Sequence, residues 1–248
     1  MTADDARTDD TRTDDTRTDE DVTDDRSEGV RQYRFAPPPG ATTITLVRHG
    51  ETMPEHPDRP FPLLDGQGDP DLAPDGREQA RRVSERLIEE HRQGRTIDAV
   101  YVSSLRRTHQ TAEPLLTALE LTHVAVPELR EVFLGEWEQQ FRAKVAAQDP
   151  IALQLFTEER WDVIPGAESN AALSQRLRTG LERIAAAHVD RRVVAVVHGG
   201  VIGQLLSMAT GSTAFAFVGA DNGSISELVV QADRRWRVRR FNDVAHLQ

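Results

Sequence analysis

Short apolar runs of strand length alternate along this chain with longer stretches whose apolar residues recur every three or four positions. Residues 43–47 (TITLV), 99–102 (AVYV), 124–126 (VAV) and 193–197 (VVAVV) are rich in β-branched residues. Their nearly continuous apolar character is that of strands covered on both faces. Residues 75–93 set Ala80, Val83, Leu87 and Ile88 on one stripe behind a Pro-Asp-Gly start signal, and 170–187 do the same with Leu173, Leu177, Leu181 and Ile184. Both patterns predict amphipathic helices. Residues 226–230 and 235–241 read as late strands, the second with arginines at 234, 235, 237, 239 and 240 around Trp236 and Val238. That alternation predicts an exposed final strand with charged outward positions rather than a nucleic-acid surface. The strand-helix order as a whole predicts an α/β fold: a three-layer sandwich with a mostly parallel central sheet and helices on both faces.

Composition changes this picture at one end. The first segment repeats Arg-Thr-Asp-Asp, and residues 1–28 hold twelve Asp or Glu against four Arg, a balance of −8 within a net charge of −11. Such a segment buries too little to offset its ordering entropy, so 1–35 is expected to be a disordered acidic tail and linker. Pro37-Pro38-Pro39-Gly40 then opens one domain, 40–248. The chain has no cysteine, which excludes disulfides and thiolate metal sites. No apolar run approaches the roughly 20 residues of a membrane span, and the acidic start is unlike a secretory signal. A cytoplasmic protein with no nucleic-acid or membrane partner is expected.

Two of the strands end alike, one in Val47-Arg48-His49-Gly50 and the other in Val197-His198-Gly199-Gly200. In open α/β sheets ligands gather at such carboxyl edges. A glycine after each histidine permits a sharp turn and close approach, so the two imidazoles are expected to face each other across one pocket. A third strand ends in Ser103-Ser104 before a helix that opens with Arg106 and Arg107. Helical neighbours lie about 100° apart, so only one of these arginines can point into that pocket. Glu128, Glu131, Glu136 and Glu138 follow in 128–138, each more ordinary as a surface residue when taken alone.

Taken together, LVRHGET, SSLRRTHQTAE, LREVFLGEWE, PGAES and VVHGGVI, in that order, resemble the histidine phosphatase superfamily, with its phosphoglycerate-mutase-like fold, and more closely its small phosphatase branch. The likeness extends over 43–230, with DPDLAPDGREQA (69–80) matching the leader into the first long helix and NGSISEL (222–228) a late strand. It implies hydrolysis of a phosphate monoester through a phosphohistidine, without metal or other cofactor. His49 would be the nucleophile, with a neutral imidazole suited to attack on phosphorus. Arg48, Arg107 and His198 would bind the transferring oxygens, Gly50 and Gly199 would leave room for the phosphoryl group, and Glu131 would serve as acid and base. A metal held by His49, Glu51 and His56 is the rejected alternative.

The sequence also departs from the family. Many relatives carry asparagine where this chain has Glu55, which is expected to turn away from phosphate or to pair with Arg59, and Gln139 replaces a frequent glycine. Residues 53–68 are rich in proline and are expected to shape access. Phe133, Trp137, Phe141, Phe156 and Trp161 serve either as pocket wall or as core. The substrate, whether a small phosphate monoester or a phosphopeptide, stays open, as does oligomeric state. Two other functions remain in view: a mutase-type phosphotransferase, and a catalytically silent binder of phosphorylated ligands.

Overall fold

The computed structural model describes residues 35–56 and 58–248; the expected disorder of the acidic tail falls on residues outside these. From β1 (Thr42–Arg48) the chain passes through a small hairpin, β2 (Leu63–Leu64) and β3 (Gln67–Gly68), to α1 (Pro74–Arg92), β4 (Ala99–Val102), α2 (Arg106–Leu119) and β5 (His123–Ala125). Two short helices, α3 (Phe141–Ala146) and α4 (Pro150–Glu158), lead to α5 (Asn170–Ala187), β6 (Arg192–Val197), α6 (Gly199–Thr210), β7 (Ile225–Val230) and β8 (Trp236–Asp243). The main sheet runs β5-β4-β6-β1-β7-β8. Its first four strands are parallel, while β7 and β8 are antiparallel to their neighbours.

The pleat sorts side chains between two apolar layers. Val47, Val100, Val102, Val194 and Val196 pack with Val83 and Leu87 of α1 and with Ala112 and Leu115 of α2. Ile44, Leu46, Tyr101, Val193, Ala195 and Val197 pack with Leu173, Leu177 and Leu181 of α5 and with Val201 and Leu205 of α6. This is the expected mostly parallel sheet with helices on both faces. One strand differs from expectation: His123, Val124 and Ala125 of β5 are all exposed, because β5 lies at the sheet's edge and only the following Val126 turns into the core.

Strand register delivers the chemistry to one edge. Arg48 pairs with Val197 across β1 and β6, so His49 and His198 leave adjacent parallel strands at the same level. On the other side of β6, Val102 pairs with Val196, which brings Ser103 to that level too.

Candidate active site

His49 is buried, and its Nδ1 lies 2.7 Å from the Gly50 carbonyl oxygen. A carbonyl can only accept, so Nδ1 carries the proton and the lone pair sits on Nε2. Burial first, then the nearby Arg107 and Arg48, hold this imidazole well below its ordinary pKa, so it is neutral at pH 7. Gly50 does not line the cavity, and a Cβ there would lie 2.2 Å from the Gly76 carbonyl oxygen, so its missing side chain makes room for the start of α1.

The two imidazoles lie side by side, ring centres 5.1 Å apart, and not across a pocket. Between them comes Arg107, whose Nε–H is shared by His49 Nε2 and His198 Nδ1 at 3.2 Å each, while Nη1 donates to the Gly68 carbonyl at 2.9 Å. Since arginine only donates, His198 Nδ1 accepts and its proton sits on Nε2, directed at Ser103 Oγ 2.8 Å away. His198 is wholly buried and lies outside the cavity lining. In this arrangement both its nitrogens are engaged, Nδ1 by Arg107 and Nε2 by Ser103. Burial, Arg107 and His49 keep it neutral as well. Arg107 is pushed down to about 10 by burial, against the attraction of Glu131 and Asp69, and so remains a cation. Arg106 points away to Asp71 and Asp69, so of the two arginines only Arg107 reaches the cavity.

Arg48 donates through Nη1 to the Ala220 carbonyl, while its buried Nε has no hydrogen-bond partner. That Nε lies against Gly199, where a Cβ would come within 3.3 Å of it. Glu131 Oε2 accepts from the Gly200 N–H at 3.2 Å and Oε1 from the Val132 N–H at 2.9 Å. A Cβ on Gly200 would stand 2.6 Å from Glu131 Oε1. The double glycine after His198 therefore admits the guanidinium and the carboxylate side by side. His49, Arg48, Arg107, Glu131 and Gly199 all border one cavity of about 360 Å³.

Several residues of this site were not anticipated from sequence. Ser103, fully buried, accepts from the Leu105 N–H at 3.2 Å and meets Thr108 Oγ1 at 3.2 Å while facing His198. Its place at a strand's end was the available signal. Arg142 of α3 borders the cavity, donates to Thr52 Oγ1 at 3.0 Å, and forms no ion pair among the described residues. Glu138 holds the hairpin by accepting from the Gly68 N–H at 2.9 Å, with its pKa raised by burial. Glu55 also borders the cavity and accepts from the Ala143 N–H at 3.4 Å, not from Arg59. Phe141, Phe156 and Trp161 line the wall, whereas Trp137 belongs to the core and Phe133 is not in the lining. No three His, Asp or Glu among the described residues converge as a metal site requires.

Fold and site together define an α/β protein with a neutral histidine and paired arginines in a cavity at the carboxyl edge of parallel strands, a setting for phosphorylated ligands. The chain belongs to the histidine phosphatase superfamily (branch 1), whose sequence profile matches residues 44–244. It is 35% identical over 208 residues to phosphoglycerate mutase-like protein 4 of Arabidopsis thaliana, covering 83% of this chain and 86% of that one. It is 34% identical over 210 residues to a metal-independent phosphoserine phosphatase of the same plant, covering 83% of each. Among solved structures, a mycobacterial glucosyl-3-phosphoglycerate phosphatase superposes with a TM-score of 0.67 at 28% identity, over 81% of this chain and 98% of that one.

Proposed function

We propose that residues 40–248 form a phosphatase that hydrolyses a phosphate monoester through a phosphohistidine on His49, without a metal ion. The observation that carries this reading is the His49 Nδ1–H bond to Gly50, which leaves Nε2 as the free base at the cavity wall between two arginines. In the first step the Nε2 lone pair forms an N–P bond as the ester P–O bond breaks. The positive charge that develops on the ring is relieved through Nδ1–H and the Gly50 carbonyl. Arg107 moves its shared Nε–H from the imidazoles to a phosphoryl oxygen, and the unpartnered Arg48 Nε supplies a second donor where the transition state carries charge. Glu131, entering this step as the carboxylic acid, gives its proton to the leaving alkoxide. In the second step water attacks phosphorus, Glu131 takes its proton, the N–P bond breaks, and inorganic phosphate leaves. His198 and Ser103 hold Arg107 in place from behind.

The phosphatase names among the relatives support hydrolysis; the mutase-like name of the Arabidopsis protein favours return of the phosphoryl group to a second hydroxyl. Release of one inorganic phosphate per ester consumed distinguishes the two. The central test is a denaturing quench of wild type with a ³²P-labelled monoester in the presence of EDTA. The expected result is acid-labile, alkali-stable label on His49, and a His49→Ala loss of at least about 10³-fold in kcat/KM. Undiminished turnover by that variant, or inhibition by chelator, overturns the reading.

A further inference from the structure

The cavity, at about 360 Å³, exceeds what a phosphoryl group fills, and its lining mixes charged residues, Glu55 and Arg142 among them, with apolar ones. Arg48, His49, Arg107 and Glu131 cluster where the strands end. The rest of the lining includes Phe61, Leu134, Phe141, Phe156, Trp161 and Val218. Three of the aromatic members are connected through Phe215, which lies outside the lining: Phe141 lies 6.1 Å from Trp161, Trp161 lies 4.8 Å from Phe215, and Phe215 lies 6.3 Å from Phe156, ring centre to ring centre. Phe156 is 47% exposed although it borders a cavity. Ligand pockets are lined mainly by apolar and aromatic side chains, and an exposed aromatic at the cavity border offers a ligand an apolar face to cover.

Phe61 comes from the proline-rich segment and is fixed there by an unusual residue. Gln139 Oε1 accepts from the Phe61 N–H at 2.8 Å and its Nε2 donates to the Phe61 carbonyl at 3.2 Å. To do this Gln139 holds a φ of 67°, a left-handed conformation that disfavours any residue but glycine. The adjacent Glu138 ties the far side of the same hairpin at Gly68. Two neighbouring side chains thus keep this part of the wall in position before any ligand arrives, which lowers the entropy lost on binding.

We infer that the alcohol part of the ester carries a flat apolar ring, which lies along Phe141, Phe156 and Trp161 with Phe61 held as a further wall by Gln139. This rests on the phosphatase reading of the same site. It assigns the cavity a substrate class: phosphate monoesters of alcohols bearing an aromatic or similarly planar group, with the phosphoryl end seated among the arginines.

The test compares 2-phenylethyl phosphate with ethyl phosphate, two primary esters whose leaving alkoxides are alike, so that ring contact alone separates them. Wild type is expected to favour the ring-bearing ester by about tenfold or more in kcat/KM, the worth of roughly 50–60 Å² of apolar contact. Phe156→Ala is expected to lower that ratio at least threefold, chiefly through KM, while Phe156→Leu retains most of it. Gln139→Ala is expected to lower the ratio as well, by releasing Phe61. Calorimetric binding of 3-phenylpropylphosphonate against propylphosphonate reads the same contact without chemistry. A preference for the phenyl phosphonate in a protein that turns over neither ester supports the ring site and overturns the phosphatase reading. Turnover with no ring preference, a ratio that survives Phe156→Ala, or stronger use of the phosphate ester of 3-hydroxypropanoate, whose carboxylate suits Arg142, overturns the inference alone.

Discussion

Arg107 does three things with one side chain: it spans both imidazoles through Nε, reaches the hairpin through Nη1, and carries the charge nearest His49. A lysine keeps the charge but has neither the planar fork nor donors in fixed directions. Arg107→Lys is therefore expected to lower kcat/KM by about 10²–10³-fold, measured by steady-state kinetics, with circular dichroism establishing that the variant is folded. A loss of less than fivefold shows that charge alone suffices and that the shared hydrogen bond has no part in the transition state. At this scale the sequence was legible where a single residue type has to recur in a set place. Helix geometry established that only one of Arg106 and Arg107 could enter the pocket, and the family resemblance, not the geometry, pointed to Arg107. For Ser103 the strand's end marked only the place; its partner, the imidazole of His198, could not be read from sequence. Arg142 was hidden for a related reason: it stands on a helix with no buried residue, so no apolar period announced which way it points.

The joint between β1 and α1 is made of backbone. A Cβ on Gly76 would fall 1.9 Å from the Glu51 carbonyl oxygen and 2.7 Å from its nitrogen, and a main chain cannot swing aside as a side chain can. Glycine to alanine within a helix ordinarily gains about 0.5–1 kcal/mol. Here the sign is expected to reverse. Gly76→Ala should cost about 1–3 kcal/mol as an overpacking change, read as a fall in the urea midpoint. Activity should drop with it, because the displaced Glu51 is two residues from His49. A neutral or stabilising result means that α1 can shift without disturbing the end of the strand. Elements whose faces are buried were plain in the sequence: residues 170–187 were expected to be helical, and α5 runs over Asn170–Ala187. Elements that bury little were not. The strands β2 and β3 have two residues each, too few for a period to emerge. At β5 the apolar letters suggested burial, but residues beyond a sheet's last strand have nothing to pack against. Gly76 itself lay inside a recognised helix-start signal, and only the fold reveals what it leaves room for.

Across the whole molecule, the same burial that keeps the imidazoles of His49 and His198 neutral sets how stability varies with pH. His49 and His198 are both held well below their ordinary value, chiefly by burial and then by nearby positive charge. The unfolded chain protonates them near pH 6.5, as free histidine does, while the native state refuses the proton until much lower pH. Between those limits unfolding takes up protons, so stability rises with pH and falls as the solution is acidified. Two such groups predict a loss of about 2 kcal/mol between pH 6.5 and 5.5, to which His109 and His246, also lowered by burial, add in the same direction. Glu90 is distinguishable. Burial alone would raise it, but Arg192, Arg95 and Arg240 together hold it lowered. Its contribution therefore persists above the carboxylate range and is lost only as pH falls through its own depressed value, below the window in which the histidines act. Urea unfolding at pH 7.5, 6.5 and 5.5 should show the decline, and His198→Gln, which cannot titrate, should make it shallower by about a quarter to a half. A free energy of unfolding that stays level or increases over that interval contradicts neutral burial of the pair. The neutrality at pH 7 that the proposed nucleophile His49 requires and the acid sensitivity of the fold have one physical cause, and each measurement constrains the other.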